Sequence, residues 1–557
     1  MKQAERTALR STTDPDLLRV EGLTIALPRG ADRPHAVEDV SIDVAAGRIT
    51  CIVGESGSGK SMTANAIMGL LPGPHVRVTA GQITLRGRPL IGASNAELRR
   101  MRGAEVAMIF QEPMSALNPV MTVGNQIAEV LRKTGRMARA AERARITELL
   151  ASMGLPEPER LQDSYPFRLS GGQRQRVMIA MALALEPALL IADEPTTALD
   201  VTTQKQILAL ILEQQRSRGL GVMFITHDFG VVAEIADDIV VMEQGRIVEQ
   251  GPAAQVLNAP RHRYTRKLID AVPDLSAHAG DAESTTALLE VQGASRTFVT
   301  GGGLWRKGRE VKALRNVSLT LKRGEVLGVV GESGSGKSTL ARSIIGLSTL
   351  DSGRVLLDGK PVVDPEAGLR HRPDRRIQMV FQDPYGSLNP RRTVRATLTM
   401  GPIQHGESRR QANERAAEML GFVGLDPSAL SRYPHEFSGG QRQRIGIARA
   451  LVMQPELLIA DEAVSALDVS IQKQVLALLD TIRRKMNISI LFVTHDLRVA
   501  ATICHRILVM RAGEVVESGE TTGIFRAPAH AYTRALLDAV PGKGWEKPAF
   551  STREETT

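Results

Sequence analysis

The stretch GESGSGKS stands at residues 54–61 and again at 331–338. Its glycines let backbone N–H groups wrap phosphate oxygens at a helix N-terminus, its lysine reaches the outer phosphates, and its serine hydroxyl is a ligand for Mg²⁺. Gly54, Glu55, Ser56, Gly57, Ser58, Gly59, Lys60, Ser61 and Met62 are therefore expected to hold nucleotide in one copy. Gly331, Glu332, Ser333, Gly334, Ser335, Gly336, Lys337, Ser338 and Thr339 are expected to hold it in the other.

A phosphate loop alone does no hydrolysis; one carboxylate must steady the metal and a second must polarise water. The apolar runs LLIADE at 189–194 and 457–462 end in such pairs, Asp193–Glu194 and Asp461–Glu462. Acidic residues at a strand end can also be plain caps, but both pairs follow their loop lysine at a similar distance. SGGQ, at Ser170, Gly171, Gly172, Gln173 and at Ser438, Gly439, Gly440, Gln441, offers a hydroxyl and backbone N–H groups suited to an anion, or merely begins a helix. His227 and His495 each follow a buried-strand pattern, where a satisfied structural histidine is the commoner case.

These motifs require elements to carry them. Short apolar runs (ITCIVG, VLGVVG) lead into the glycine-rich turns and then into helical patterns, and further strand and helix patterns alternate downstream. The fold class is thus α/β, with mainly parallel sheets covered by helices. Residues 95–168 and 370–436 lack strand signals and read as inserted helical subdomains. The chain is one unit written twice: the loops lie 277 residues apart (54 to 331), and the motifs from SGGQ onward lie 268 apart (170 to 438). A period of that size is a whole domain. The expected organisation is a polar tail at 1–15, a domain at 16–273, a linker at 274–287, a second domain at 288–541 and a tail at 542–557.

Composition narrows the class. The 557 residues are 43% hydrophobic and 24% charged, a soluble globular mix that excludes wholesale disorder and small disulfide modules. The net charge of +9 lies mostly in the second half and is ordinarily a solvated surface; the basic stretch 131–145 is read the same way, and no nucleic acid is expected. Cys51 and Cys504 form no metal-binding spacing and suit a reducing compartment. The polar N-terminus lacks a secretory signal pattern, and no run of 18 apolar residues suggests a membrane span.

With loop, glutamine (Gln111, Gln382), SGGQ, acidic pair, ALD and THD in this order in both halves, the chain resembles the ATP-binding cassette (ABC) superfamily over about 500 residues. The resemblance implies two P-loop cassettes, each with a parallel core, an antiparallel β part and an inserted helical subdomain, docking head to tail so that Lys60 shares its ATP with Ser438 and Lys337 with Ser170. It implies Ser61, Gln111 and Asp193, with Ser338, Gln382 and Asp461, as Mg²⁺ ligands. Glu194 and Glu462 would orient water, His227 and His495 would sense the γ-phosphate, and Asp200 and Asp468 would link the sites. An adenine-stacking aromatic is implied at Phe298, where the first half has Leu27.

FQEPMSALNP at 110–119, FQDPYGSLNP at 381–390, and the segments YTRKLIDAVP and YTRALLDAVP further resemble the ATPases of bacterial oligopeptide and dipeptide importers, including fused glutathione-type ones. That implies two membrane permease subunits docking near 111–120 and 382–391, an extracytoplasmic solute-binding protein reached through them, and a place on the cytoplasmic face of the inner membrane. No iron–sulfur cluster is expected, because the cysteines lie away from the C-terminal segment. A ribosome-acting tandem cassette and a phosphonate-degrading complex are the alternatives; the short linker and the fusion weigh against them.

Overall fold

Residues that are apolar without interruption become strands buried on both faces, as parallel sheets require. In the first half these include β3 (Ile49–Val53), β7 (Leu189–Asp193) and β8 (Gly221–Thr226), every residue of which is buried. The remaining strands there are β1 (Leu18–Ala26), β2 (His35–Val44), β4 (Arg77–Leu85), β5 (Arg88–Pro89), β6 (Val106–Ile109), β9 (Asp238–Glu243) and β10 (Arg246–Pro252). The computed structural model describes residues 17–111, 116–135, 137–197, 199–275, 284–300, 309–369, 374–383, 386–465 and 467–548. The expected tail at 1–15, most of the linker, residues 112–115 and 384–385, Ala198, Ala466 and the last residues of the C-terminal tail lie outside them.

The core sheet runs β10-β9-β3-β8-β7-β6, parallel except for the β9–β10 edge, and a second, antiparallel sheet runs β2-β1-β4-β5. The second half repeats this with β11 (Ala287–Thr300), β12 (Arg309–Lys322), β13 (Val326–Val330), β14 (Ser352–Leu357), β15 (Lys360–Val363), β16 (Ile377–Val380), β17 (Leu457–Asp461), β18 (Ser489–Thr494), β19 (Arg506–Arg511) and β20 (Glu514–Glu520). Its sheets are ordered β12-β11-β14-β15 and β16-β17-β18-β13-β19-β20.

Parallel register decides where the chemistry lies. Val53 pairs with Thr226 and Asp193 with Ile225, so the carboxyl ends of β3, β7 and β8 share one sheet edge; Val330, Thr494, Asp461 and Val493 do the same. Ligands of open α/β sheets bind at that edge, beside the strand where the order reverses. Helices Val123–Leu131 and Arg139–Ser152, with Val394–Gln404 and Arg409–Phe422, form the inserted helical parts. Within the stretches read as strandless, however, β6 and β16 complete the core sheet. Four apolar residues carry too few periods to be told from a helix turn.

The chain divides into two compact units. One takes residues up to Leu199, Thr203–Val272 and the stretch from Pro541; the other takes Asp200–Thr202 and Pro273–Val540. Within the first, Lys547 Nζ donates to the carbonyls of Asp270 and Val272, at 2.8 and 3.1 Å, at the end of the helix Arg263–Ala271. A cation there meets carbonyls that the helix itself leaves unpaired.

Candidate active sites

Each phosphate loop leaves its strand through glycines that nothing else replaces. Gly54 has φ +157° and a Cβ there would lie 2.2 Å from the Met242 carbonyl; at Gly59 (φ +104°) it would lie 2.7 Å from that of Ala36. Gly331 and Gly336 are confined in the same way by Met510 and Ala313. The loops then open helices at Lys60 and Lys337. Lys60 Nζ donates to the carbonyls of Gly54 (2.8 Å) and Glu55 (2.9 Å) and to Ser58 Oγ (3.4 Å), spanning its own loop. Lys337 does so at 2.7, 2.8 and 3.4 Å to Gly331, Glu332 and Ser335. Burial holds the Lys337 amine below its usual value, against the pull of Glu462.

Ser61 Oγ donates to Asp193 Oδ1 and Ser338 Oγ to Asp461 Oδ1, both at 3.0 Å. A hydroxyl beside a carboxylate is a hard-oxygen pair of the sort Mg²⁺ accepts, the remaining positions being left to water and phosphate. Burial pushes the Asp193 carboxyl up to about 6, the Ser61 hydrogen bond opposing it; Asp461 is raised for the same reasons.

The next residue behaves oppositely. Glu194 and Glu462 take left-handed backbone (φ +46° and +48°), uncommon outside glycine, which turns the chain sharply at the end of β7 and β17. Gln111 Nε2 donates to Glu194 Oε2 (3.0 Å), Thr197 Oγ1 donates to the same oxygen (2.9 Å), and His227 Nδ1 lies 3.4 Å from Oε1. In the second copy Gln382 Nε2 is 2.6 Å from Glu462 Oε2 and His495 Nδ1 3.3 Å from Oε1, while Ser465 turns to the Glu462 backbone carbonyl. Burial alone would raise Glu194, but His227 and Thr197 bring it down to about 2; Glu462 is lowered likewise by His495. His495 is raised, burial being outweighed by Glu462. The histidines, for which a structural role was the commoner expectation, thus reach the glutamates. The Thr and Asp of THD serve the turn instead: Asp228 N–H donates to Thr226 Oγ1, and Asp228 caps the helix Phe229–Ile235.

SGGQ begins the helices Gly171–Leu183 and Gly439–Leu451 through capping boxes. Gln173 N–H donates to Ser170 Oγ (3.2 Å) and Ser170 N–H to Gln173 Oε1 (3.0 Å), with the same pair at Ser438 and Gln441. Glycine is required at 172 and 440, where a Cβ would meet Thr203 at 2.7 Å and Ile471 at 2.8 Å. The helix starts at Ser170, Gly171 and Ser438 stay exposed. Asp468 is the N-cap of the helix Val469–Met486, and Asp200 precedes the matching helix Val201–Arg218. Phe298 lies exposed on β11 with the Arg296 guanidinium 4.9 Å from its ring, whereas Leu27 packs on the core.

Two contacts were not foreseen. The Glu55 N–H donates to Tyr264 Oη and the Glu332 N–H to Tyr532 Oη, from the YTR segments, whose repetition and family resemblance named no partner for the phenol. In the first copy Arg33 also donates to the Gly57 carbonyl.

The sheet edge, the loop and the glutamate–histidine pair define the class, an ATP-hydrolysing P-loop protein with its site in duplicate. The profile described as ABC transporter matches residues 37–197 and 314–465, and that described as Oligopeptide/dipeptide transporter, C-terminal region, matches 248–296 and 516–556. The chain belongs to the ABC transporter family as an energy-coupling ATPase. It is 46% identical to the glutathione import ATP-binding protein GsiA of Salmonella choleraesuis (strain SC-B67), covering 94% of this chain and 90% of that protein. It is 45% identical to the peptidoglycan transport ATP-binding protein YejF of Agrobacterium fabrum (strain C58 / ATCC 33970), covering 95% and 97%. Among solved structures, the dimeric bacterial ABC transporter cassette MJ0796 is 29% identical over 42% of this chain and 98% of its own, with TM-score 0.39.

Proposed function

We propose that this chain drives import of small peptides or glutathione-like solutes by hydrolysing two ATP molecules, one in each of two composite sites closed head to tail. The observation that carries the reading is the duplicate survival of every reacting group: Lys60, Ser61, Gln111, Asp193, Glu194, His227 and their counterparts, each in hydrogen-bonding reach of its partner. Lys60 and the loop amides hold phosphate, with Ser438 across the closed site; Lys337 pairs with Ser170 in the same way. Ser61, Gln111 and Asp193, with Ser338, Gln382 and Asp461 in the other copy, would hold Mg²⁺, which would supply charge neutralisation on the phosphates.

A carboxylate held near 2 is a weak proton acceptor at neutral pH, so Glu194 chiefly orients water until the γ-phosphate competes for His227. Withdrawal of His227 toward phosphate removes a hydrogen bond that lowers Glu194, and so raises the basicity of Glu194 when substrate is in place. Closure and reopening move permease subunits, which dock near 111–120 and 382–391; Phe110 and Val120 are exposed there in the first cassette. Among the described residues no helix is long and apolar enough to cross a membrane, and the reading places the chain peripherally on the cytoplasmic face, with a solute-binding protein beyond the permease.

The test is purification of the Glu194→Gln, Glu462→Gln double variant from native membranes in ATP, with identification of bound proteins. Two polytopic permease subunits are expected. Ribosomal proteins, or soluble enzymes without a permease, would overturn transport and leave the ATPase standing.

A further inference from the structure

The C-terminal segments take no part in the chemistry above, yet each sends one side chain to a phosphate loop. We propose that Tyr264 and Tyr532 are positioning residues for the two loop lysines, each fixing one peptide plane from the side opposite the lysine. The Glu55 N–H and the Gly54 carbonyl belong to the same planar peptide unit. Tyr264 Oη accepts that N–H at 3.0 Å, and Lys60 Nζ donates to that carbonyl at 2.8 Å. In the second copy the Glu332 N–H reaches Tyr532 Oη at 3.1 Å and Lys337 reaches the Gly331 carbonyl at 2.7 Å. The arrangement thus stands at both copies of the repeated unit.

The tyrosines are themselves held. They are nearly buried, at 4% and 7% exposure. Glu249 on β10 accepts the N–H groups of Arg261 and His262, and His262 Nδ1 accepts the N–H of Tyr264, capping the helix Arg263–Ala271. Glu517 on β20, Ala529, His530 and Tyr532 repeat the chain of contacts at the helix Ala531–Asp538. β10 pairs with β9, whose Met242 carbonyl closes on Gly54, so strand and tyrosine grip the start of the loop together. A cation accompanies each grip from a different element: Lys267 Nζ lies 3.5 Å from Glu55 Oε1, and the Arg511 guanidinium lies 4.9 Å from the Tyr532 ring centroid. A loop whose first peptide can rotate presents its lysine less often at the phosphate position, which weakens ground and transition state alike.

This inference rests on the reading that the loops hold ATP. The test uses the full chain with Tyr264→Phe and Tyr532→Phe, singly and together, which keep the ring and remove only the hydroxyl. The expected result is a roughly three- to tenfold rise in the KM for ATP and in the Kd of a fluorescent ATP analogue, with kcat within about twofold. Hydrogen exchange should speed up at the Glu55 and Glu332 amides in nucleotide-free protein, and Tm should fall by no more than a few degrees. An unchanged KM, or a raised KM with those amides still protected, overturns the assignment. The Lys60→Ala, Lys337→Ala double variant separates the two readings: ATP binding retained there would sink the ATP-site reading itself, whereas binding lost there but unaltered in the phenylalanine variants sinks only the tyrosine role.

Discussion

The two cassettes keep the same candidate site residues and support them with different chemistry. Behind Gln111, the stretch 118–121 is held by Gln126, which accepts the Asn118 N–H (2.9 Å) and donates to the carbonyls of Asn118 and Met121 (3.0 Å each). Behind Gln382 the anchor comes from another helix: Arg449 donates to the Ser387 carbonyl (2.6 Å) and lies 5.7 Å from the Phe381 ring centroid, where the first cassette has Met181. At the start of the loop strand, the Ile49 N–H donates to the Asp237 carboxylate (2.9 Å), whereas the matching Val326 N–H donates to His505 Nδ1 (3.0 Å). What must be conserved between duplicated sites is the placement of a backbone group, and several side chains can satisfy one N–H or carbonyl.

The cysteines make the same point in the core. Cys51 on β3 pairs in register with Ile239, and Gly328 on β13 with Ile507; Ala236 and Cys504 are the C-caps of matching helices. A Cβ on Gly328 would lie 2.8 Å from Cys504 Sγ. Each cassette therefore fills this space with one thiol, contributed from opposite walls. Both thiols are buried and burial raises their pKa, which leaves them packing groups and not nucleophiles.

The largest effect tests whether the chemistry is equal in both halves. Glu194→Gln and Glu462→Gln are each expected to leave roughly half of phosphate release, and the pair to lower it about 100-fold or more. One single variant that abolishes turnover would show that the halves differ in mechanism as well as in support. Next, Gln126→Leu removes three hydrogen bonds from a buried amide and should cost the first cassette about 2–3 kcal/mol by denaturant unfolding, while Arg449→Met, which also removes a poorly solvated charge, should cost about 1 kcal/mol or less. Equal losses would mean that the two anchors are equivalent after all.

Gly328→Ala should destabilise the second cassette by about 1–3 kcal/mol through overpacking. Adding Cys504→Ala should recover most of it, since it removes the sulfur that the new methyl group would meet; no recovery would refute the opposed-wall account. The smallest effect is a pH dependence. Burial and Arg483 lower the His505 pKa from 6.5, so the folded state binds this proton less readily than the unfolded one. Its stabilisation is complete above about 6.5 and declines as pH falls below that, and His505→Asp should flatten this slope in a thermal-unfolding series from pH 7.5 to 5.

Much of the site was legible in the sequence because a phosphate loop, an acidic strand end and a helix-starting SGGQ each work through local backbone geometry within a few residues. The duplication and the α/β class followed from motif order and from apolar runs too continuous for half-exposed strands, and motif order also supplied the reacting groups proposed above. What sequence could not decide was which distant groups would meet. His227 lies 33 residues beyond Glu194, and only the parallel register of β7 and β8 turns that separation into a contact. β6 and β16 were hidden because four apolar residues have no readable period. Tyr264 and Tyr532 were visible as a repeat and silent as to partner, since a phenol approaching a backbone N–H leaves no mark at the residue that donates it. Local chemistry is written in side-chain order; support from across the fold depends on packing, where many residues can meet one geometric need and tertiary structure alone selects among them.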